Sequence, residues 1–356
     1  MNVRRSFALA SLDNYVNQFL ILGTTVVMAR VLTPSEIGLF LIVLSVIMIG
    51  DNFRDFGVTP FIMQATDLDA VLLRTAFTVT FLLSLAIFAS IVLGADRIAG
   101  FYGEPLLSGL LTTASLAFLL VPFTSPITAL MRREMQFGNI AKINIGVGVV
   151  NCIATISLGL AGFGASSYVL GYLMSKIANI VIVIALRPDF WIYRPCLVGA
   201  RKVFAFGSAS AGVVIINLVH EQLPKLAIGK IIGFDALGLF SRAVTICQLP
   251  ERFVVAGLQP VILPALAAHA RAGGDLKTEY LRGVSLMSAF QWPALVMLAL
   301  LADPVVDILL GPQWQAGPPL VRIMALALMA LAPAFMTYPL LVSAGHIRAA
   351  LLASLI

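Results

Sequence analysis

The feature that most constrains this chain is a succession of apolar runs, each close to the roughly 20 helical residues needed to cross a hydrocarbon core. They recur along the whole of its 356 residues, at about 7–31, 37–60, 72–94, 106–130, 140–162, 165–186, 203–230, 237–265, 280–302 and 319–343. Inside lipid every backbone N–H and C=O must bond internally, so runs of this length predict helices. The expected fold class is all-α, a polytopic membrane helix bundle. Composition agrees: 60% of residues are hydrophobic and only 11% charged, against roughly 25% charged in soluble domains. A further run begins near Ala349 and is still apolar at Ile356, which predicts that the sequence is incomplete at its C-terminus.

The formal charge of +6 does not point to nucleic acid, because the basic residues lie between apolar runs and form no basic domain interleaved with aromatics. They read as topology signals. Arg4, Arg5, Arg74, Arg132, Arg133, Arg201 and Lys202 fall on one side, whereas the opposite loops carry Arg30, Arg97 and Lys230. Positive residues near span ends are retained in the cytoplasm, so the N-terminus is expected to be cytoplasmic. Cys152, Cys196 and Cys247 lack CxxC spacing, and only three histidines exist; no metal site is expected. No GxxxxGK[ST], HExxH or GxSxG occurs, so neither an enzymatic site nor a cofactor is expected.

An internal repeat stands at an offset of 200 residues. Arg30-Val31-Leu32 and Ile37-Gly38-Leu39-Phe40 align with Lys230-Ile231-Ile232 and Leu237-Gly238-Leu239-Phe240. The even number of spans between the copies makes the repeat parallel, which predicts two pseudo-symmetric lobes of about six helices around a central cavity. Residues 1–202 would form the first lobe and 203–356 the second, with four helices and the start of a fifth. Chance similarity of short apolar strings is the competing explanation.

Charges inside spans cost about 2.5–3.5 kcal/mol each on insertion scales and face protein or water rather than lipid. In the seventh span Asn217, His220, Glu221, Pro224 and Lys225 share one helical face, and in the first Asp13, Asn14, Asn17, Gln18 and Thr24 do the same. Such stripes line a wet cavity or join helices by hydrogen bonds. The eighth span adds Arg242, Gln248 and Arg252. Basic groups facing a cavity suit phosphate, arginine through its fork and lysine as a point charge. Lys225, Arg242, Arg252, Asn217 and Gln248 are therefore the candidate substrate-binding residues, and Asp13 and Glu221 the candidates for ion coupling. Lys176 is a weaker candidate near a span end, while Asp51, Arg54 and Asp55 are accounted for by snorkelling and mutual pairing. Pro122, Pro126, Pro224 and Pro250 are expected to interrupt helices.

The stretch from Ala29 through Thr33-Pro34-Ser35-Glu36 to Phe40 resembles the first-loop signature of the Wzx-type polysaccharide flippases, of the multidrug/oligosaccharidyl-lipid/polysaccharide exporter superfamily. Further matches are Asp55-Phe56-Gly57-Val58, Arg132-Arg133-Glu134-Met135-Gln136-Phe137, Gly162-Phe163-Gly164, Phe206-Gly207, Ile228-Gly229-Lys230, Pro264-Ala265-Leu266 and Leu310-Gly311-Pro312-Gln313-Trp314. Their order and spacing extend over nearly the whole chain. The resemblance implies a two-lobed bundle of about 12 to 14 helices that flips undecaprenyl-pyrophosphate-linked oligosaccharide units for exopolysaccharide or lipopolysaccharide synthesis. Its partners would be the lipid-linked oligosaccharide, membrane lipids, and the polysaccharide polymerase and chain-length proteins. Members often carry an acid shortly before the Ile-Gly of the seventh span, where this chain has Pro224-Lys225 and places its acid at Glu221. Two other readings compete. A cation-coupled multidrug antiporter of the same fold would want a net acidic cavity, and a membrane glycosyltransferase or polymerase would want a larger outer loop than those near 94–105 and 303–318.

Overall fold

The computed structural model describes the backbone of residues 3–55, 57–65, 68–252 and 276–331, with side chains described except at 3–11, 202–217, 276 and 279. Every regular element among them is helical. Among the described residues six stretches are long and apolar enough to cross a membrane: Pro34–Gln64, Ala70–Tyr102, Leu106–Phe123, Phe137–Leu160, Ser166–Leu186 and Tyr280–Leu300. Their large apolar side chains stand substantially exposed, among them Leu93, Leu160, Val181, Leu286 and Leu300. Bands of exposed leucine and valine on helices of this length are lipid-facing surface. The chain is a multi-pass membrane protein.

The first unit covers Met1–Leu237. It begins with α1 (Val3–Val31) and α2 (Pro34–Asp55). The start of α2 is set by a capping box: Thr33 N and Oγ1 both donate to Glu36 Oε2 at 2.8 and 2.9 Å, and Glu36 N donates to Thr33 Oγ1 at 3.3 Å, with Pro34 at the first helical position. Gly57, at φ 73°, turns the chain into the short α3 (Val58–Gln64). Asp69 caps α4 (Ala70–Tyr102) by accepting from Leu72 N at 2.7 Å, and Gly103 in the left-handed region ends it.

The expected span 106–130 is broken as its prolines require. α5 (Leu106–Ser115) and α6 (Ala117–Leu120) give way to a 3₁₀ turn at Val121–Phe123, and α7 (Ser125–Arg133) follows, with Pro122 and Pro126 at the breaks. α8 (Phe137–Leu160) and α9 (Ser166–Leu186) are uninterrupted. So is α10 (Ala200–Ile231), which runs through Pro224. The interruption expected there does not occur, because a proline removes a single ladder bond and a long helix tolerates it. The Pro250 region shows a turn at Gln248 before helix resumes at 249–252.

Two packing groups organise this unit. Ile42, Val43 and Ile47 of α2 meet Ile91 and Ala95 of α4, Leu107 and Leu111 of α5, Val169 of α9 and Leu237 in one buried cluster. α1 and α9 flank α8. The second unit, Gly238–Ile356, takes most of α11 (Phe234–Cys247), then α12 (Leu276–Leu300), α13 (Ala302–Leu309) and α14 (Pro318–Leu331). Leu295, Val306, Trp314, Val321 and Ala325 are buried in it, and the Cys247 thiol reaches Val321 O at 3.4 Å. The expected spans 237–265 and 319–343 lie partly outside the described residues, and the run from Ala349 wholly so.

Candidate functional site

Helix α10 carries the first group of candidates. Lys225 Nζ stands 3.7 Å from Glu221 Oε1 one turn back and donates to Gln222 Oε1 at 3.4 Å. Gln222 is buried, whereas His220 and Glu221 are exposed and Lys225 is half-buried. Asn217 lies on the same helix, with its side chain outside those described. In the second unit Arg252 Nη2 donates to Gln248 Oε1 at 2.9 Å. Arg242 is half-buried on α11, where Thr245 Oγ1 bonds back to Ser241 O at 2.8 Å. Lys225 and Arg252 are thus each bonded to a glutamine of their own helical segment.

Asp13 is held differently. Its Oδ1 accepts from Asn17 Nδ2 and its Oδ2 from Asn144 Nδ2 on α8, both at 2.7 Å. The neighbouring Gly148 leaves room for this contact: a Cβ there would come within 2.6 Å of Asn17 Oδ1. The polar stripe of α1 therefore joins helices at these positions. Asp13→Leu strands two amide donors in a packed interface, so it is expected to destabilise the protein by about 1–3 kcal/mol. A lowered Tm of purified protein is the readout, with Asp13→Asn intermediate because it keeps one acceptor oxygen.

Arg54 pairs with Asp51 as its spacing led one to expect, through Nε to Oδ1 at 3.1 Å, but it is buried at 8% exposure on α2 rather than snorkelling. Across on α9, Lys176 Nζ sits 4.7 Å from the centroid of the Tyr172 ring. Asp55, by contrast, accepts from Thr59 Oγ1 at 2.7 Å and caps the local turn.

The segment after α9 is stitched to the first unit. Arg187 is bonded to both oxygens of Glu134, at 2.6 and 3.0 Å, and to Asp189 at 2.5 Å. The Glu134 hydrogen bond is the main reason that the Arg187 guanidinium is held more firmly protonated than usual. Arg74 Nε donates to Trp191 O and Thr75 Oγ1 to Val198 O, at 3.1 and 2.7 Å. Tyr193 OH donates to Phe123 O at 2.9 Å, and burial raises its phenol above the ordinary range. Arg322 of α14 pairs with Asp303. Among the described residues no group of His, Cys, Asp or Glu is arranged to hold a metal ion.

Residues 27–318 match the polysaccharide biosynthesis protein family. The chain belongs to that family. The resemblance read from the Thr33–Phe40 stretch and its companions is thereby borne out. Lipopolysaccharide biosynthesis protein WzxC of Escherichia coli K12 is 24% identical over 84% of this chain and 61% of its own length. Succinoglycan biosynthesis transport protein ExoT of Rhizobium meliloti is 23% identical over 91% of this chain and 65% of its own. The chain spans about three fifths to two thirds of the length of these curated relatives. Among solved structures, the lipid II flippase MurJ in an inward closed conformation superposes with TM-score 0.70, at 11% identity, over 98% of this chain and 78% of that one. A point mutant of a MATE protein superposes at 0.56, with 13% identity, over 98% of this chain and 84% of that one. At such identities these likenesses establish the fold, a multi-helix membrane bundle of the kind expected.

Proposed function

We propose that this polysaccharide biosynthesis family member flips lipid-linked oligosaccharide units, carried on undecaprenyl pyrophosphate, from the inner to the outer leaflet of the inner membrane. The observation that carries the reading is the family match over residues 27–318, joined to basic residues set in the apolar helices of a transporter fold. Lys225, Arg242 and Arg252 hold the pyrophosphate, with Asn217 and Gln248 beside them, while the polyprenyl tail stays in lipid. The relatives are named for lipopolysaccharide and succinoglycan synthesis, which supports a glycan cargo over a cationic drug.

In this reading residues 1–202 and 203–356 form the two lobes and the N-terminus is cytoplasmic. The polymerase and chain-length proteins receive the flipped unit. Glu221, exposed beside Lys225, is the better of the two acids for ion linkage, since Asp13 is committed to amides.

The test is mass spectrometry of undecaprenyl-linked glycans in a deletion strain together with surface polysaccharide. Complete repeat units should accumulate while polymer is lost. Normal lipid-linked glycans with heightened sensitivity to cationic drugs would replace this reading with the antiporter, and truncated glycans would replace it with an enzyme. Complementation with a well-expressed Lys225→Ala/Arg242→Ala double variant should restore surface polymer at least about tenfold less well than wild type, the effect of losing one charge-assisted contact.

A further inference from the structure

We propose that the segment between α9 and α10, residues 187–199, is a docking surface for anionic phospholipid at the edge of the bilayer. The segment is not a slack connection. Its Trp191 and Val198 carbonyls accept from Arg74 Nε and Thr75 Oγ1 of α4, Cys196 N donates to Thr78 Oγ1 at 2.9 Å, and Ile192 is fully buried. Held in this way, it still turns Phe190, Leu197 and Val198 outward, at 58, 59 and 70% exposure. Apolar side chains fixed on the outside are costly in water and favourable against acyl chains.

Helix lengths place the segment at the depth where those chains begin. α9 has 21 residues, about 31 Å at 1.5 Å per residue, which is the thickness of a hydrocarbon core, so the segment starts at its boundary. α4 has 33 residues, about 50 Å, and exceeds the core by about 20 Å. Shared between its two ends, the excess sets the boundary about 10 Å from Ala70, level with the Arg74–Thr78 turns that hold the segment.

The charge left over at this level has one sign. Glu134 and Asp189 are both taken by Arg187, Asp69 caps α4, and Asp55 accepts from Thr59. Arg194 in the segment and Arg201 in the first turn of α10 are exposed and make no hydrogen bond or ion pair among the described residues. Unpaired guanidinium groups beside outward apolar side chains fit a molecule with a phosphate at one end and acyl chains at the other. The occupant is therefore a lipid of the surrounding bilayer, and the surface is separate from Lys225, Arg242 and Arg252.

The experiment titrates the purified full chain, in neutral detergent, with phosphatidylglycerol and with phosphatidylcholine of the same acyl chains, and counts bound lipid by native mass spectrometry. Wild type should bind phosphatidylglycerol at least about tenfold more tightly, and Arg194→Gln/Arg201→Gln should remove that preference. The lipid-free Tm of this double variant should match wild type, since neither arginine has a partner to lose. Phe190→Ser/Leu197→Ser should weaken both lipids by a similar factor and keep the preference, because it removes only the apolar part. Arg97→Gln, exposed near the other end of α4, should change nothing. Equal binding of the two lipids in wild type, or a preference that survives loss of both arginines, overturns the proposal. So does displacement of the lipid by inorganic pyrophosphate, which would make the arginines a site for a free oxyanion. Glycan accumulation in the deletion strain reads flipping and these titrations read the lipid surface, so either can fail while the other stands.

Discussion

Gly38→Ala is expected to lower the Tm of the purified protein sharply, while Gly94→Ala raises it. Both glycines lie inside long helices, where alanine is ordinarily better by about 0.5–1 kcal/mol. Gly94 on α4 has open space where a Cβ would stand, so the ordinary gain should appear. At Gly38 on α2 the added carbon would run into the backbone carbonyl of Phe234. A side chain could rotate aside, but a backbone segment cannot. It is fixed by Tyr102 OH donating to Leu226 O at 3.1 Å, by Lys230 on Phe101 O and 4.5 Å above the Phe101 ring, and by Leu237 in the same buried cluster as Leu39. Relief requires α2 to part from the end of α10 and the start of α11, an overpacking cost of about 1–3 kcal/mol or more. Equal and small shifts for the two variants would show that this contact is loose. Gly38 and Leu39 thus pack directly against the Phe234–Leu237 segment at the start of α11.

The helical fold was legible because lipid leaves a chain few alternatives, and an apolar run of spanning length has to be a helix. Boundaries were less so. The run 72–94 stops where Asp96 and Arg97 begin, yet α4 continues to Tyr102, because a helix outlasts the bilayer when Gly103 rather than charge ends it. The single run 106–130 is several pieces because of its prolines, and α10 stays whole despite one. Of the site, pairs within a helix turn could be read from spacing: Glu221 with Lys225, Gln248 with Arg252, Asp51 with Arg54. Partners on different helices could not. Asp13 reaches Asn144 through packing between helices distant in sequence, which periodicity along one helix does not encode. The same limit made Arg54 look like a snorkelling end residue when it is buried.

Arg133→Met is expected to destabilise the first unit by about 2 kcal/mol, the loss of charge-assisted bonds to two carbonyls. The reason lies in α3, whose last carbonyls have no partner within so short a helix. Arg133 Nη1 donates to Ile62 O at 2.8 Å and to Ala65 O at 2.6 Å, closing the C-terminal end of α3 from α7. The apolar faces of those helices are already joined through Val58, Phe61, Ile62, Ala129 and Leu130. Methionine keeps the packing of the arginine stem and removes only the donors, so the change isolates the polar term. Arg133→Lys should recover part of the loss, since an ammonium still donates but lacks the fork. Arg132→Met, at an exposed position one residue away, should stay within about 0.5 kcal/mol of wild type. The adjoining residues have parallel tasks: Glu134 clamps Arg187, and Met135 takes a positive φ of 57° at the turn into α8. If Arg133→Met and Arg132→Met shift Tm alike, the Arg-Arg-Glu-Met-Gln-Phe motif is not the stitch between α3, α7 and the segment after α9 that these bonds describe, and its basic pair would have to be explained by charge alone.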